Sequence, residues 1–142
     1  MTTTAKITCR VDATASGLTL IAKINDQAFW RGDPWGGHDL ALDLPDDDGS
    51  YQLVFELSGK TVDHTKIDSS GQIIQDVTVS IGDLSFDGID LGYLSCKHST
   101  YEHDSNGTGP LIQDQFYGIM GCNGKVSLKF TTPVYLWLLE NM

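Results

Sequence analysis

Apolar residues recur at every second position along most of the chain: Ile7, Cys9, Val11; Leu18, Leu20, Ala22, Ile24; Leu40, Leu42, Leu44; Leu53, Phe55, Leu57; Val77, Val79, Ile81; Val126, Leu128, Phe130. Successive side chains of a strand point to opposite faces, so each set predicts one half-buried strand. Turn-forming clusters separate the sets, among them Ala15-Ser16-Gly17, Gly32-Asp33-Pro34, Pro45 to Gly49, Ser69-Ser70-Gly71 and Asp87-Gly88. The spacing predicts an all-β, antiparallel, jelly-roll-like sandwich, one domain over residues 1–142, with at least seven strands and at most one short helix. Asn25-Asp26 reads as the turn of a hairpin that joins Leu18–Ile24 to Phe29-Trp30, and Asn123-Gly124 as a hairpin turn between Phe116–Met120 and Lys125–Phe130. Val134–Leu139 is apolar throughout and reads as a final strand buried on both faces, a short helical turn over Val134–Asn141 being the alternative. Two stretches, Gly59–Gln72 and Ser95–Gln115, carry no period and read as long irregular loops, which in a compact domain are usually functional or mobile.

A chain of 142 residues, 40% hydrophobic, can bury a core without disulfides or metal staples. Nineteen acids against nine bases give a formal net charge of -10, and no Lys/Arg cluster offsets it locally. Such a surface repels a phosphate backbone and an anionic bilayer, which argues against nucleic acid and membrane partners. Sixteen of the acids are Asp, a residue of turns and caps that also ligates hard cations, so loops and calcium come into view. No apolar run approaches the ~20 residues of a membrane span, and the opening Met1 to Lys6 leads into a strand pattern with no apolar signal core. Cys9, Cys96 and Cys122 are odd in number and form no C-x-x-C pair, which predicts neither a disulfide framework nor a zinc site. A reducing compartment fits, and the pair to examine for a bridge is Cys96 with Cys122, which flank the second long stretch.

Three segments carry candidate chemistry. Thr61 to Asp68 gathers Asp63, His64, Thr65 and Asp68, whose carboxylates and hydroxyl are oxygen donors suited to a calcium shell but not in EF-hand spacing; Asx-capped turns are the plainer reading. Lys97 to Thr108 mixes Tyr101, His103, Asp104 and Asn106, a set suited to sugar hydroxyls and to the apolar face of a sugar ring, or else a solvated loop. Phe29 to His38 sets Trp30 and Trp35 around a Gly/Pro turn, where an exposed indole is a stacking platform unless it folds over the core edge. Asp46-Asp47-Asp48 reads as a solvated corner. No G-x-S-x-G, H-E-x-x-H or phosphate-binding glycine loop occurs, and no nucleophile stands beside a base, so no catalytic residue is assigned.

With these Asp-rich loops between short strands, the chain resembles small calcium-dependent β-sandwich modules that bind polysaccharide, and its compact form also looks like accessory domains of marine phage virions. The first resemblance implies a lectin-like, non-catalytic carbohydrate-binding domain. Its expected ligand residues are Trp35, Tyr101, His103, Asp104 and Asn106, with calcium at Asp63, Asp68 and Asp104. The second implies a structural or assembly domain whose protein partner packs on an exposed edge strand or aromatic patch. The two long stretches are expected to meet at one end of the sandwich.

Overall fold

The computed structural model describes residues 4–46, 48–59, 66–67, 69–71, 73–75, 77–103, 110–121 and 123–141. Strands β1 (Thr4–Ala13), β2 (Thr19–Ile24), β3 (Gln27–Gly32), β4 (His38–Pro45), β5 (Ser50–Ser58), β6 (Lys66–Ile67), β7 (Ile73–Gln75), β8 (Val79–Phe86) and β9 (Ile89–Asp90) come first. Helix α1 (Tyr93–His98), strands β10 (Ser99–His103), β11 (Ile112–Gln115), β12 (Ile119–Met120) and β13 (Gly124–Thr131), and helix α2 (Val134–Asn141) follow. One sheet has five strands in the order β12-β8-β1-β4 with β9 beside β8; the other has six in the order β11-β10-β13-β5-β2-β3; β6 and β7 form a separate pair. Every ladder between these strands is antiparallel. The two large sheets make the expected sandwich.

The period-two sets supply its interior. Ile7, Cys9 and Val11 of β1 and Leu40 and Leu44 of β4 are buried on the five-stranded side, with Leu20, Ala22, Leu53, Phe55, Leu57, Val126, Leu128 and Phe130 on the six-stranded side. Alternation shifts phase within β8, where the inward residues are Val79, Ile81, Leu84 and Phe86. Arg10 pairs with Gly82 but Thr8 with Ser85, so Cys9 faces two residues, Asp83 and Leu84: a β-bulge. Asp83 absorbs the extra residue in left-handed backbone (φ 54°), a conformation that Asp tolerates better than most L-residues. The hairpin between β2 and β3 is as expected, with Asn25 (φ 47°) and Asp26 (φ 68°) both left-handed as a type I′ turn requires.

Three expectations are corrected. Val134–Asn141 is a helix, not a strand buried on both faces: Val134, Trp137 and Leu138 are buried at helical spacing while Tyr135, Leu136 and Leu139 are exposed. Asp46 caps its start, its carboxylate accepting the Val134 N–H at 3.0 Å. Trp137 packs on Phe86 of one sheet (5.7 Å between ring centroids) and Phe130 of the other (6.4 Å), and these two phenylalanines meet at 4.8 Å. Second, the described residues form two helices rather than at most one; α1 has six residues, too few to show a period, and ends on Lys97 and His98, which suit its C-terminal partial charge. Ser95–Gln115 is accordingly not irregular throughout, since β10 and β11 pair within it.

The third correction concerns Asn123-Gly124. It closes no hairpin: β12 pairs with β8 in the five-stranded sheet, while β13 lies between β10 and β5 in the six-stranded one. The glycine answers a different need, because a Cβ at Gly124 would collide with the carbonyl oxygen of Glu102 on β10. Gly124→Ala should therefore cost about 1–3 kcal/mol of stability in urea denaturation. Gly82→Ala, where an added methyl meets nothing within 4 Å, should stay within about 0.5 kcal/mol of the parent. Equal effects of the two substitutions would contradict the close approach.

Candidate functional site

Ladder register places several of the sequence candidates at one end of the sandwich. At that end lie the end of β1, the start of β2, and the ends of β3, β5 and β10 with the start of β13, through Thr19 opposite Ser58, Leu20 opposite Gly32, Leu57 opposite Gly124 and Gly124 opposite His103. The carboxylate of Asp33 ties two turns together here, accepting the Trp35 N–H at 2.9 Å and the Gly17 N–H at 2.8 Å. Trp35 also bridges to Ala13 at the end of β1. Gly59, where the first long stretch leaves β5, packs against the same turn, its Cβ position 3.5 Å from the Gly17 carbonyl oxygen. His103, where the second stretch leaves β10, ends the same sheet two strands from Leu57.

The individual candidates fare differently. Trp35 is 54% exposed, held by its backbone with its indole in solvent, whereas Trp30 packs against the core and the His38 ring (5.3 Å). Tyr101 is only 8% exposed: it stands on the inward face of β10, its ring against His103 (4.6 Å) and Phe116 (6.0 Å), so it supports the site from beneath rather than offering a stacking face. The His103 side chain is 13% exposed and its Nε2 lies 3.4 Å from the Asp114 carboxylate on β11. Asp63, Asp68, Asp104 and Asn106 lie outside the described residues, as does the meeting of the two long stretches. Among the described residues no three His, Cys, Asp or Glu side chains gather as a cation site.

What sequence reading missed is a row of side chains on the solvent face of the six-stranded sheet. Gln113, Glu102, Lys125, Glu56, Ile21 and Arg31 stand opposite one another across successive strands. Glu56 bonds Lys23 at 3.1 Å and Glu102 accepts the Gln113 amide at 3.0 Å, so each carboxylate keeps acceptor capacity, and Lys125 between them makes no ion pair among the described residues. Lys125, Glu56 and Glu102 line a depression of about 370 Å³ with Ser58, Asn123 and Leu111. Its volume falls at the low end of the ~300–1,000 Å³ typical of small-molecule clefts. The residues are 46 positions apart from Glu56 to Glu102, and only strand pairing brings them together.

The buried thiol offers no nucleophile. Burial, with a smaller contribution from the nearby Asp39 carboxylate, pushes the Cys9 thiol up from 9.0 to about 12. Cys9 and Cys96 are both free of disulfides.

No family model matches the chain, and no curated protein matches it. Among solved structures, a vCBM60 in complex with galactobiose aligns with 87% of this chain and 96% of its own length, at 11% sequence identity and a TM-score of 0.49. A likeness of that degree carries no weight for site or ligand. No helix among the described residues is long and apolar enough to cross a membrane.

Because the unfolded chain releases the Cys9 proton at lower pH than the folded one, stability linked to this group is intact below pH 9.0 and falls as pH rises toward 12. Alkylation followed by peptide mass mapping should leave Cys9 unmodified at pH 8 in the native protein and modify it after unfolding; rapid native labelling would contradict its burial.

Proposed function

We propose that this chain is a non-catalytic carbohydrate-binding domain whose binding surface is the sandwich end just described. The observation that supports this most is the Glu56, Lys125, Glu102 row, with an exposed indole at the same end of the sandwich. Sugar hydroxyls pair as both donors and acceptors, and here two carboxylates with spare lone pairs flank an ammonium at the mouth of one depression. Trp35 adds an aromatic face at the same end for the apolar side of a ring. Lys23, paired with Glu56, and Lys125 together offset the two carboxylates, and a depression without net charge among these four groups suits neutral sugars.

Isothermal titration against a panel of neutral oligosaccharides tests the reading. At least one should bind, Glu102→Ala and Glu56→Ala should each weaken it about tenfold or more through a lost charge-assisted hydrogen bond, and Trp35→Ala by about threefold or more. Binding by no member of the panel, or undiminished binding by all three variants, would sink it.

Calcium belongs to the same reading through Asp63, Asp68 and Asp104, because Gly59 and His103, the described residues before Asp63 and Asp104, leave the same end of the sheet. A cation that binds only the folded state stabilises it by about 2.7 kcal/mol at a hundredfold excess over its Kd. Melting should therefore shift upward in millimolar calcium relative to chelator; coincident curves would remove the cation.

A second reading, a protein-assembly domain, is favoured by one observation. The outer strands β11 and β12 and the residues beside them expose apolar side chains, Leu111 at 64% and Tyr117 at 72% among them. Mass measurement in solution separates the two: a stable oligomer favours assembly, a monomer that binds sugar favours the first.

A further inference from the structure

The opposite end of the six-stranded sheet holds a cleft of about 490 Å³ that shares no residue with the depression above. Its floor is aromatic. The Tyr51 ring lies stacked on Phe130 (5.7 Å, 24° between planes), and Trp137 of α2 closes the same wall. Its rim is polar: Ser50, Gln52, Thr131 and Lys129, with Lys129 directly opposite Gln52 across the β13/β5 ladder. Asn25 holds that rim in place, its side chain accepting the Gln52 N–H at 2.8 Å and reaching the Ser50 carbonyl at 3.4 Å.

The electrostatics set this cleft apart. Nineteen of the 142 residues are acidic, yet none lines it. Among the described residues Lys129 makes no ion pair and the Gln52 side-chain amide no hydrogen bond, so one ammonium and one amide remain available at the cleft's rim on the solvent face of the sheet, while the Tyr51 and Phe130 rings stand on its inward face. In a protein of net charge -10, a lining whose one charged group is Lys129 is a spot that draws an anion. Ser50, Thr131 and Gln52 offer more hydrogen-bonding groups than a planar aromatic acid could use, which points to a ring bearing several hydroxyls.

We propose that this cleft is a second binding site, for a sugar ring that carries a carboxylate, a hexuronate: Tyr51 and Trp137 face the apolar side of the ring, Ser50, Gln52 and Thr131 take its hydroxyls, and Lys129 takes the carboxylate. It is independent of the site proposed above, since neither Trp35 nor Lys125 takes part.

The test titrates the full chain with glucuronate and galacturonate disaccharides, with their neutral counterparts and with benzoate, followed by calorimetry and tryptophan emission. At this cleft, followed by the amide NMR shifts of Ser50, Gln52 and Thr131, an acidic disaccharide should bind at least about tenfold more tightly than its neutral counterpart, through one charge-assisted contact, and high salt should erase the margin. Lys129→Gln should erase it as well, with an unchanged melting temperature, while Lys125→Gln and Trp35→Ala should keep it. The proposal fails if no acidic disaccharide binds, if neutral and acidic sugars bind alike, if Lys129→Gln retains the margin, or if benzoate binds where the uronates do not.

Discussion

Everything else in this structure depends on the burial of alternate side chains between two antiparallel sheets. Because a strand's side chains alternate strictly, one face of each must enter the interior and the other must remain in water. The contact of Phe86 with Phe130 joins the two sheets, and Trp137 packs on both rings, so α2 seals the interior at one end. A slip of one residue in β13 would expose Val126, Leu128 and Phe130 and bury Lys125 and Lys129. The same register that fills the core thus fixes which charged residues line up outside it. Where the two demands conflict, in β8, the backbone yields: the bulge at Asp83 and Leu84 resets the alternation so that Leu84 and Phe86 still point inward.

How far the sequence discloses this follows from how local each signal is. Alternation is a property of five or six consecutive residues, and the sets at Ile7–Val11, Leu53–Leu57 and Val126–Phe130 are all buried. The Asn25-Asp26 turn is equally local. Helix α2 is hard to read because its exposed residues Tyr135, Leu136 and Leu139 are as apolar as its buried ones, which erases the contrast on which a 3.6-residue period relies. Asn123-Gly124 misleads because glycine serves two purposes, left-handed turns and close backbone approach, and only the neighbouring strand tells which.

The candidate site was legible in part. Trp35 stands out beside its Gly/Pro turn, and its side chain is exposed. Tyr101 could not be told from a surface residue without knowing that β10 places it on the inward face with Ser99. The Glu56, Lys125, Glu102 row and the Tyr51, Lys129 cleft were invisible, since each joins segments far apart in the chain that only the strand order β10-β13-β5 makes neighbours. Two ends of unlike charge result, one presenting carboxylates around a single lysine and the other a lysine with no carboxylate in its lining.

The most direct test of the account is to map sugar contact residue by residue. Two-dimensional amide NMR spectra of the isotope-labelled chain, recorded through a titration with the best-binding neutral oligosaccharide, should show shifts concentrated at Glu56, Ser58, Glu102, His103, Asn123, Lys125 and the Trp35 indole. Shifts confined to other surfaces, or a saturating sugar that moves none of these resonances, would contradict the placement of the binding surface at this end of the sandwich.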